Sequence, residues 1–313
     1  MRIVFFGTSA FSANILKFLA EIKQNVVAVV TRPARLQGRS LKLKSPLVKD
    51  MCQVCFPDIP IYQPEKASTD SFCEEMMRFD SDLFMVVAYG EIIKNNLLSV
   101  PKKACINIHA SLLPKYRGAA PLQRCLLDGE KESGITIMDM VLKMDAGDIL
   151  IQERVEIPEE MNCGELEEKL LNASYKVLPK LLSDFDSYYS KKKQQVESKV
   201  TFASKISTED TEIRWSKRAV EIHNQIRAFS PFPGAWCKVK IGEDEKRFKI
   251  LVASYDPKRC LSPATWRFEE GSYFVGCKEG VISLIDVQLE GKRPMPASEF
   301  FRGFNRSFVF LLD

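Results

Sequence analysis

The chain has 313 residues, of which 45% are hydrophobic and 27% charged, and its formal net charge is +4. This is ordinary globular composition, and the length favours two domains. The opening MRIVFFGTSAF is too short for a secretory signal, and no later run approaches the ~18 to 20 apolar residues of a membrane span. We therefore expect a cytoplasmic protein without a membrane partner.

The first part of the sequence alternates apolar runs with segments of helical periodicity. Runs typical of buried strands occupy residues 2–7, 25–32, 59–64, 82–90 and 104–110. Amphipathic segments typical of helices occupy residues 12–23, 47–55 and 70–79. This alternation predicts a doubly wound, mostly parallel, Rossmann-like α/β sheet.

Beyond Pro121 the periodicity predicts a helix, two strands and a long helix, at residues 122–129, 135–141, 149–157 and 164–185. Beyond residue 207, the segment AVEIHNQIRAF at 219–229 predicts a helix, and the short strand-like runs after it are separated by turn signals such as IGEDE and LEGK. They predict a smaller C-terminal β-barrel of the oligonucleotide-binding type. We therefore expect a first domain at 1–189, a polar linker at 190–207 and the barrel at 208–313.

Two familiar binding motifs are incomplete. After the first strand, GTSAFS lacks the second and third glycines of a dinucleotide-binding turn, so we expect a plain strand-to-helix turn capped by Thr8 or Ser9. Cys52 and Cys55 have CxxC spacing, but no second CxxC or His pair follows at ligand spacing. We expect no metal site, and the nine scattered cysteines are typical of reduced thiols.

Polar side chains stand at the end of the strand ACINIHA. Asn107 and His109 are two residues apart and so face the same side of the strand, at the sheet edge where open α/β folds bind ligands. They either satisfy backbone groups at a loop entry or form a reaction site. The turn DAGD favours the second interpretation because it can deliver Asp145, which we prefer to Asp139 and Asp148 since it precedes the tight turn at Gly147.

These three residues suit one kind of chemistry. A carboxylate beside an imidazole fixes its orientation and favours its protonated form, and an amide N–H stabilises an oxyanion. Together they can serve acyl or formyl transfer to an amine that is itself the nucleophile. Ser111 would need an unusual turn to act as a nucleophile with His109, so we expect it to cap the loop or contact substrate.

Several segments resemble the formyltransferases that use 10-formyltetrahydrofolate. NIHASLLPKYRGAAP with MDAGDIL is similar to that family's signature, and FFGTSAFSANIL, VVTRPARLQGR, VVAYGEII, QIRAFSPFPGAW and QLEGKRPM extend the likeness through both predicted domains. Formyl hydrolases and glycinamide ribonucleotide formyltransferases share the Asn, His and Asp set but lack the C-terminal barrel. The resemblance therefore implies a monomeric enzyme that formylates the α-amine of methionyl initiator tRNA for translation initiation, without a covalent enzyme intermediate.

The resemblance also assigns residues. The family's catalytic set falls on Asn107, His109 and Asp145. Contacts to the folate co-substrate are implied for Tyr89, Gly90, Glu91, Ile92, Ile93, Ser111, Leu112, Leu113 and Pro114. Contacts to the tRNA acceptor end are implied for Arg35, Arg39, Lys42 and Lys44. Glu91, Lys94 and Arg214 depart from the family's usual residues, which bears on the pterin pocket and on a domain contact.

The basic segments have a simpler alternative. RPARLQGRSLKLK carries five Lys or Arg residues in thirteen and no acid, which is also typical of a solvated loop. A basic track could continue through the 191–193 run and Arg227 to the barrel, at Lys238, Lys240, Lys246, Arg247 and Lys249. Two other functions remain open, namely formyl transfer to a small amine such as a nucleotide-linked amino sugar, and tRNA binding without catalysis.

Overall fold

The structure is a computed structural model that describes residues 1–37, 42–302 and 308–312, with the side chains of all of these except 35–37 and 42–44. Within these ranges, no helix combines the length and the apolar character that a membrane crossing requires.

The described strands range from two residues to the 13 of β13. In chain order they are β1 (Ile3–Gly7), β2 (Val26–Val30), β3 (Arg35–Gln37), β4 (Lys42–Lys44), β5 (Ile61–Tyr62), β6 (Leu83–Val87), β7 (Ala104–His109), β8 (Arg117–Gly118), β9 (Glu132–Asp139), β10 (Ile149–Glu156), β11 (Phe202–Ala203), β12 (Ala235–Ile241), β13 (Asp244–Asp256), β14 (Trp266–Glu269), β15 (Ser272–Gly276), β16 (Val281–Leu289), β17 (Met295–Pro296) and β18 (Phe308–Phe310).

The helices include two whose ends match the amphipathic segments of the sequence residue for residue, α2 and α8. In chain order they are α1 (Ala10–Glu21), α2 (Leu47–Cys55), α3 (Asp70–Met77), α4 (Asn95–Leu98), α5 (Pro121–Leu127), α6 (Cys163–Ser183), α7 (Phe185–Ser190), α8 (Ala219–Phe229) and α9 (Ala297–Arg302), with short 3-10 turns at Glu197–Lys199 and Glu209–Thr211.

The first sheet places the carboxyl ends of its central strands at one edge. Its order is β10, β9, β7, β6, β1, β2, β5, and the strands from β7 to β5 run parallel whereas β9 pairs antiparallel with β7. Every residue of β1 and β6 is buried, which explains their unbroken apolar sequences. The strand order reverses between β1 and β6, where folds of this kind bind ligands. The predicted fold class is confirmed.

The second large sheet is antiparallel and runs β14, β15, β16, β13, β12, β18, with β17 paired to β16. The two outer strands of this order, β14 and β18, come close together, since Trp266 on β14 donates its indole N–H to the carbonyl of Phe308 on β18 at 2.9 Å. The sheet is therefore strongly curved. Aromatic rings of Phe248, Phe300 and Phe308 pack inside the curve, with centroids 5.1 to 5.7 Å apart. α8 contributes Ile222 and Phe229 to the same core.

The chain folds into two compact units that are interleaved in sequence. Unit 1 contains residues 1–118, 133–155 and 168–202. Unit 2 contains residues 119–132, 156–167 and 203–313. Most of the predicted linker, 190–202, therefore clusters with unit 1.

Candidate active site

The structure brings Asn107, His109 and Asp145 together at the carboxyl edge of the first sheet. Asn107 and His109 project from the same face of β7, and the loop between β9 and β10 carries Asp145. Asn107 Nδ2 donates to Asp145 Oδ1 at 3.4 Å, and His109 Nδ1 lies 3.7 Å from Asp145 Oδ2. The side chains of His109 and Asp145 are only 7% and 13% exposed, so little water reaches the contact between them.

One carbonyl fixes the orientation of the His109 ring. Nε2 lies 2.9 Å from the carbonyl oxygen of Tyr116, and because a carbonyl only accepts, Nε2 carries a proton in this contact. Nδ1 is then the nitrogen that faces Asp145. The bond at Nε2 thus holds the ring in place, with Nδ1 directed at the carboxylate.

The Asp145 loop has an unusual backbone. Asp145 has φ +50°, in the left-handed region that few residues other than glycine adopt. Its Oδ2 accepts from the backbone N–H of Gly118 at 2.8 Å. A Cβ on Gly147 would lie 1.7 Å from the carbonyl oxygen of Asp139, so no side chain fits there. Glycine is thus required by this close approach of backbone.

The rival groups are engaged elsewhere. The Asp139 carboxylate accepts from the Tyr189 hydroxyl at 3.0 Å and from Lys192 Nζ at 2.5 Å. The hydroxyl of Ser111 is fully buried and donates to the carbonyl of Lys115 at 2.7 Å. Of the three carboxylates considered, Asp145 is the one in contact with both polar side chains of β7.

The segment after β6, assigned by resemblance to folate contacts, divides into buried and exposed residues. Tyr89 and Ile93 are buried in the core beside β6, and burial raises the pKa of Tyr89 to about 12, with the Glu91 charge adding to it. Gly90 is exposed, with φ +84°, and Ile92 is 68% exposed. Glu91 forms an ion pair with Arg32 and accepts from the backbone N–H of Ala67 at 3.0 Å.

The second assigned segment, 111–114, is held mainly by hydrogen bonds. Leu113 N donates to Thr136 Oγ1 at 3.1 Å, and the Leu113 carbonyl accepts from Gln152 at 2.9 Å. Ser111 and Leu113 are buried, whereas Leu112 and Pro114 are half-buried. This segment therefore shapes the edge of the site more than it offers free polar groups to a ligand.

Apolar side chains are exposed beside the polar cluster. Val141, Leu142 and Met144, in the loop that carries Asp145, are 45%, 58% and 61% exposed. This loop and the one with Ile92 follow β9 and β6, the two neighbours of β7. Exposed apolar side chains therefore follow both neighbours of the strand that carries Asn107 and His109, and we call Ile92, Val141, Leu142 and Met144 the apolar rim.

A cleft of about 410 Å³ lies where the strand order reverses. Its walls come from three strand ends and the start of α2, at Thr8, Ser9, Ala10, Arg32, Pro33, Ser45, Pro46, Leu47, Ala88, Tyr89 and Gly90. Ser9 caps α1, as expected, by accepting from Ser12 N at 3.2 Å, and Thr8 donates to the Tyr89 carbonyl at 2.8 Å. Glycine spacing in the sequence does not reveal this cleft, whereas the position of the strand reversal could have indicated it.

Comparison with known proteins decides the family. A family model described as Formyl transferase matches residues 1–182, and one described as Formyl transferase, C-terminal domain, matches 205–305. A methionyl-tRNA formyltransferase of Protochlamydia amoebophila is 43% identical over 98% of this chain and 96% of its own length. One of Listeria innocua is 41% identical over 98% of this chain and 96% of its own length. The chain belongs to the methionyl-tRNA formyltransferase family.

A solved structure agrees at the level of fold. The N-formyltransferase of Helicobacter canadensis, in complex with folinic acid and dTDP-3-aminofucose, has a TM-score of 0.67 and 19% identity. The match covers 90% of this chain and 98% of that one.

The departures from the family's usual residues have local explanations. The backbone N–H of Lys94 donates to Ser68 Oγ at 2.9 Å, a bond that proline could not make. Glu91 is tied to Arg32, so an acid at this position is compensated. Arg214 is exposed.

The residues assigned by resemblance to tRNA lie in the β3–β4 region. Arg35, Lys42 and Lys44 belong to two paired antiparallel strands, where the sequence had indicated a loop. Arg39 lies outside the described residues.

Cys52 and Cys55 both lie on α2, and burial raises the pKa of Cys52 to about 11, with Cys55 adding to it. No group of three metal-ligating side chains occurs in the described part of the chain.

Proposed function

We propose that this protein transfers the formyl group of 10-formyltetrahydrofolate to the α-amine of methionyl initiator tRNA. The observation that carries the proposal is the convergence of Asn107, His109 and Asp145 at the carboxyl edge of the sheet, in a chain of this family. The 10-formyl donor supplies an activated one-carbon group, and the apolar rim at Ile92, Val141, Leu142 and Met144 suits its ring system.

Each of the three side chains has its own role in an addition–elimination reaction at the formyl carbon. The amine nitrogen forms a bond to the formyl carbon, and the carbonyl electron pair moves to oxygen. Asn107 and protonated His109 stabilise that oxyanion, and Asp145 orients His109 and accepts the proton that the amine loses. Collapse breaks the bond between the formyl carbon and the folate nitrogen, which takes up the proton.

This mechanism needs no covalent enzyme intermediate. Ser111, the hydroxyl closest in sequence to His109, is buried and already donates to Lys115. In the proposed reaction the acceptor amine is the nucleophile, and the protein carries no formyl group.

A basic face on unit 2 supports tRNA as the partner. Strands β12 and β13 pair so that Trp236 opposes Lys249 and Lys238 opposes Arg247. These residues share one face with Lys240, which opposes the acidic Glu245. Arg247 lies over the Trp236 ring at 4.2 Å. We call Lys238, Lys240, Arg247 and Lys249 the basic stripe.

An exposed aromatic ring stands at one end of the stripe. Lys249 Nζ donates to the Pro233 carbonyl at 2.6 Å, next to Phe232, which is 82% exposed. Cations beside an exposed ring are typical of surfaces that bind single-stranded nucleic acid, such as a tRNA 3′ end. Two residues of the predicted track lie elsewhere, since Lys246 is on the opposite face and Arg227 is 6% exposed.

The decisive experiment supplies labelled formyl donor with charged initiator tRNA or with amino-sugar nucleotides. We expect label on methionyl-tRNA only, and none retained on the protein. His109→Ala and Asp145→Asn should each lower turnover by about 100-fold or more, because each removes a group that acts in the transition state. Both variants should stay folded and bind tRNA.

The other histidine provides a matched control. His223 is buried in unit 2, with Nε2 3.3 Å from Glu160 Oε2, and His223→Gln should turn over normally. Label on amino sugars alone would replace the proposed acceptor, and no transfer at all would favour a binding protein. Near-normal turnover in both active-site variants would reject the assigned residues.

A further inference from the structure

Gln195 is the most fully bonded side chain in the segment that the sequence indicates to be a linker. It is 5% exposed. Its Nε2 donates to the carbonyls of Asp145 at 2.8 Å and Gly147 at 2.7 Å. Its Oε1 accepts from Arg117 Nε at 3.0 Å and Nη2 at 2.8 Å. All four bonds that a glutamine side-chain amide readily makes are therefore formed inside the protein.

These bonds close a ring around the Asp145 loop. Arg117 precedes Gly118, whose backbone N–H donates to Asp145 Oδ2 at 2.8 Å. The backbone N–H of Gly118 thus holds the Asp145 carboxylate, and Gln195 holds the Asp145 backbone. Arg117 in turn holds the side chain of Gln195. Strained backbone such as the φ of +50° at Asp145 persists only where its surroundings impose it, and this ring provides that constraint.

A second contact joins the same two segments. Glu197 accepts from Arg117 Nη2 at 2.9 Å and from Lys143 Nζ at 3.0 Å. Hydrogen bonds from Arg117 and from Lys143 hold the pKa of Glu197 below its ordinary value. Glu197 is exposed, however, whereas Arg117 is 1% exposed, so the buried guanidinium depends chiefly on Gln195.

We propose that Gln195 is a positioning residue for the formyl transfer, which sets the distance between Asp145 and His109 by holding the carbonyls of Asp145 and Gly147. The inference rests on the proposed function. It gives the segment after α7 a part in the reaction although its side chains lie outside the Asn107, His109 and Asp145 cluster.

Gln195→Glu removes the donor function of this side chain and keeps its acceptor function. A carboxylate keeps the acceptor for Arg117 but repels the two loop carbonyls, so only the hold on the Asp145 loop is lost. We expect kcat to fall about 10- to 100-fold, since misplacement by about 1 Å has effects of this size, while KM for methionyl-tRNA stays within about twofold. Gln195→Met removes the donors without adding charge and also removes the acceptor for Arg117. We expect the same fall in kcat with KM unchanged, together with a larger loss of thermal stability than in Gln195→Glu.

Unit 2 contains a matched control. Gln225 is 3% exposed, and its Nε2 likewise donates to two carbonyls two residues apart, those of Asp210 at 2.7 Å and Glu212 at 2.9 Å. Gln225→Glu introduces the same charge against the same kind of carbonyl pair, although Gln225 Oε1 has no hydrogen-bond partner among the described residues whereas Gln195 Oε1 accepts from Arg117. We expect it to lower thermal stability while leaving kcat within about twofold of the wild type.

A second measurement does not depend on activity. The chain has two histidines, so the imidazole NMR signals of His109 can be assigned with His223→Gln. We expect Gln195→Glu to shift the His109 signals in the direction produced by Asp145→Asn, and Gln225→Glu to leave them in place.

The two measurements separate the inference from the proposed function. If the wild type forms no formylmethionyl-tRNA, the function fails, and the NMR shifts still decide whether Gln195 positions Asp145. Unchanged His109 signals in a folded Gln195 variant would overturn the inference. So would equal loss of kcat in Gln225→Glu, or failure of both Gln195 variants to fold, since Gln195 would then be a purely structural residue.

Discussion

The two histidines differ in what surrounds them. His109 is anchored by the Tyr116 carbonyl and faces Asp145 across 3.7 Å, at a sheet edge where ligands bind. His223 is buried against Tyr255, with ring centroids 5.0 Å apart, and reaches only the exposed Glu160. The same side chain thus faces a carboxylate at the edge of a sheet in one unit and packs against an aromatic ring in the other.

Burial of His223 has a consequence for stability at acidic pH. Burial lowers the pKa of His223, an effect that Arg227 adds to and that Glu160 and Glu159 partly offset. The folded protein therefore binds this proton less readily than the unfolded chain, whose histidines titrate near 6.5. The free energy of unfolding should decrease as the pH falls below about 6.5 and should be unaffected by this group above it.

His223→Gln removes that titration. Between pH 7.5 and 5.5 we expect the variant to lose less thermal stability than the wild type, as measured by melting curves in matched buffers. Titrating carboxylates contribute equally to both proteins, so they cancel in the comparison. An identical loss in both would contradict the assigned direction of the pKa.

The β12–β13 pair shows how an element can carry a binding surface. Phe248 and Ile250 of β13 face the core, and alternation leaves Arg247 and Lys249 on the other side, opposite Lys238 and Trp236. The lysine interruptions that make these strands hard to recognise in the sequence therefore create the basic stripe.

The stripe should contribute to tRNA affinity by neutralising phosphates. Lys238→Ala with Lys240→Ala should weaken binding, and should reduce the slope of log K against log salt by about one for each phosphate that is no longer neutralised. Folate affinity should stay the same. Lys246→Ala, on the opposite face of β13, is the matched control. A double variant with an unchanged salt slope would favour the solvated-surface alternative.

Periodicity and alternation in the sequence predict individual helices and strands, but they do not predict contacts between distant parts of the chain. α2 and α8 end where their amphipathic periods end, and strand alternation placed Asn107 and His109 on one face. The role of Gln195 depends on a contact with a loop 50 residues away, which no periodicity encodes. The sequence does not indicate the β3–β4 pair because a segment rich in Lys and Arg is also typical of a solvated loop.

Residue Arg227 shows how tightly the two units are interleaved along the chain. Its guanidinium on α8 donates to the carbonyl of Leu126 at 3.4 Å and to that of Met161 at 3.3 Å. These carbonyls belong to 119–132 and 156–167, segments that come well before the C-terminal part of the sequence but cluster with it in unit 2. Arg124 reinforces the arrangement through Asp210, at 2.9 Å. A single cut in the sequence therefore cannot separate the units.

Truncated chains test whether a single cut can separate the two units. A fragment of residues 1–189 leaves α5 without α8, and exposing Leu126 alone removes about 2 kcal/mol of stabilisation. We expect the fragment to melt well below the full chain and to bind a hydrophobic dye. A fragment of residues 1–202 should be the more stable of the two, because it retains Gln195 and the rest of unit 1, yet should still melt below the full chain. The contrary result is a shorter fragment that melts as the full chain does and binds no dye. The segments at 119–132 and 156–167 would then be stable without residues 203–313, which would contradict their assignment to unit 2.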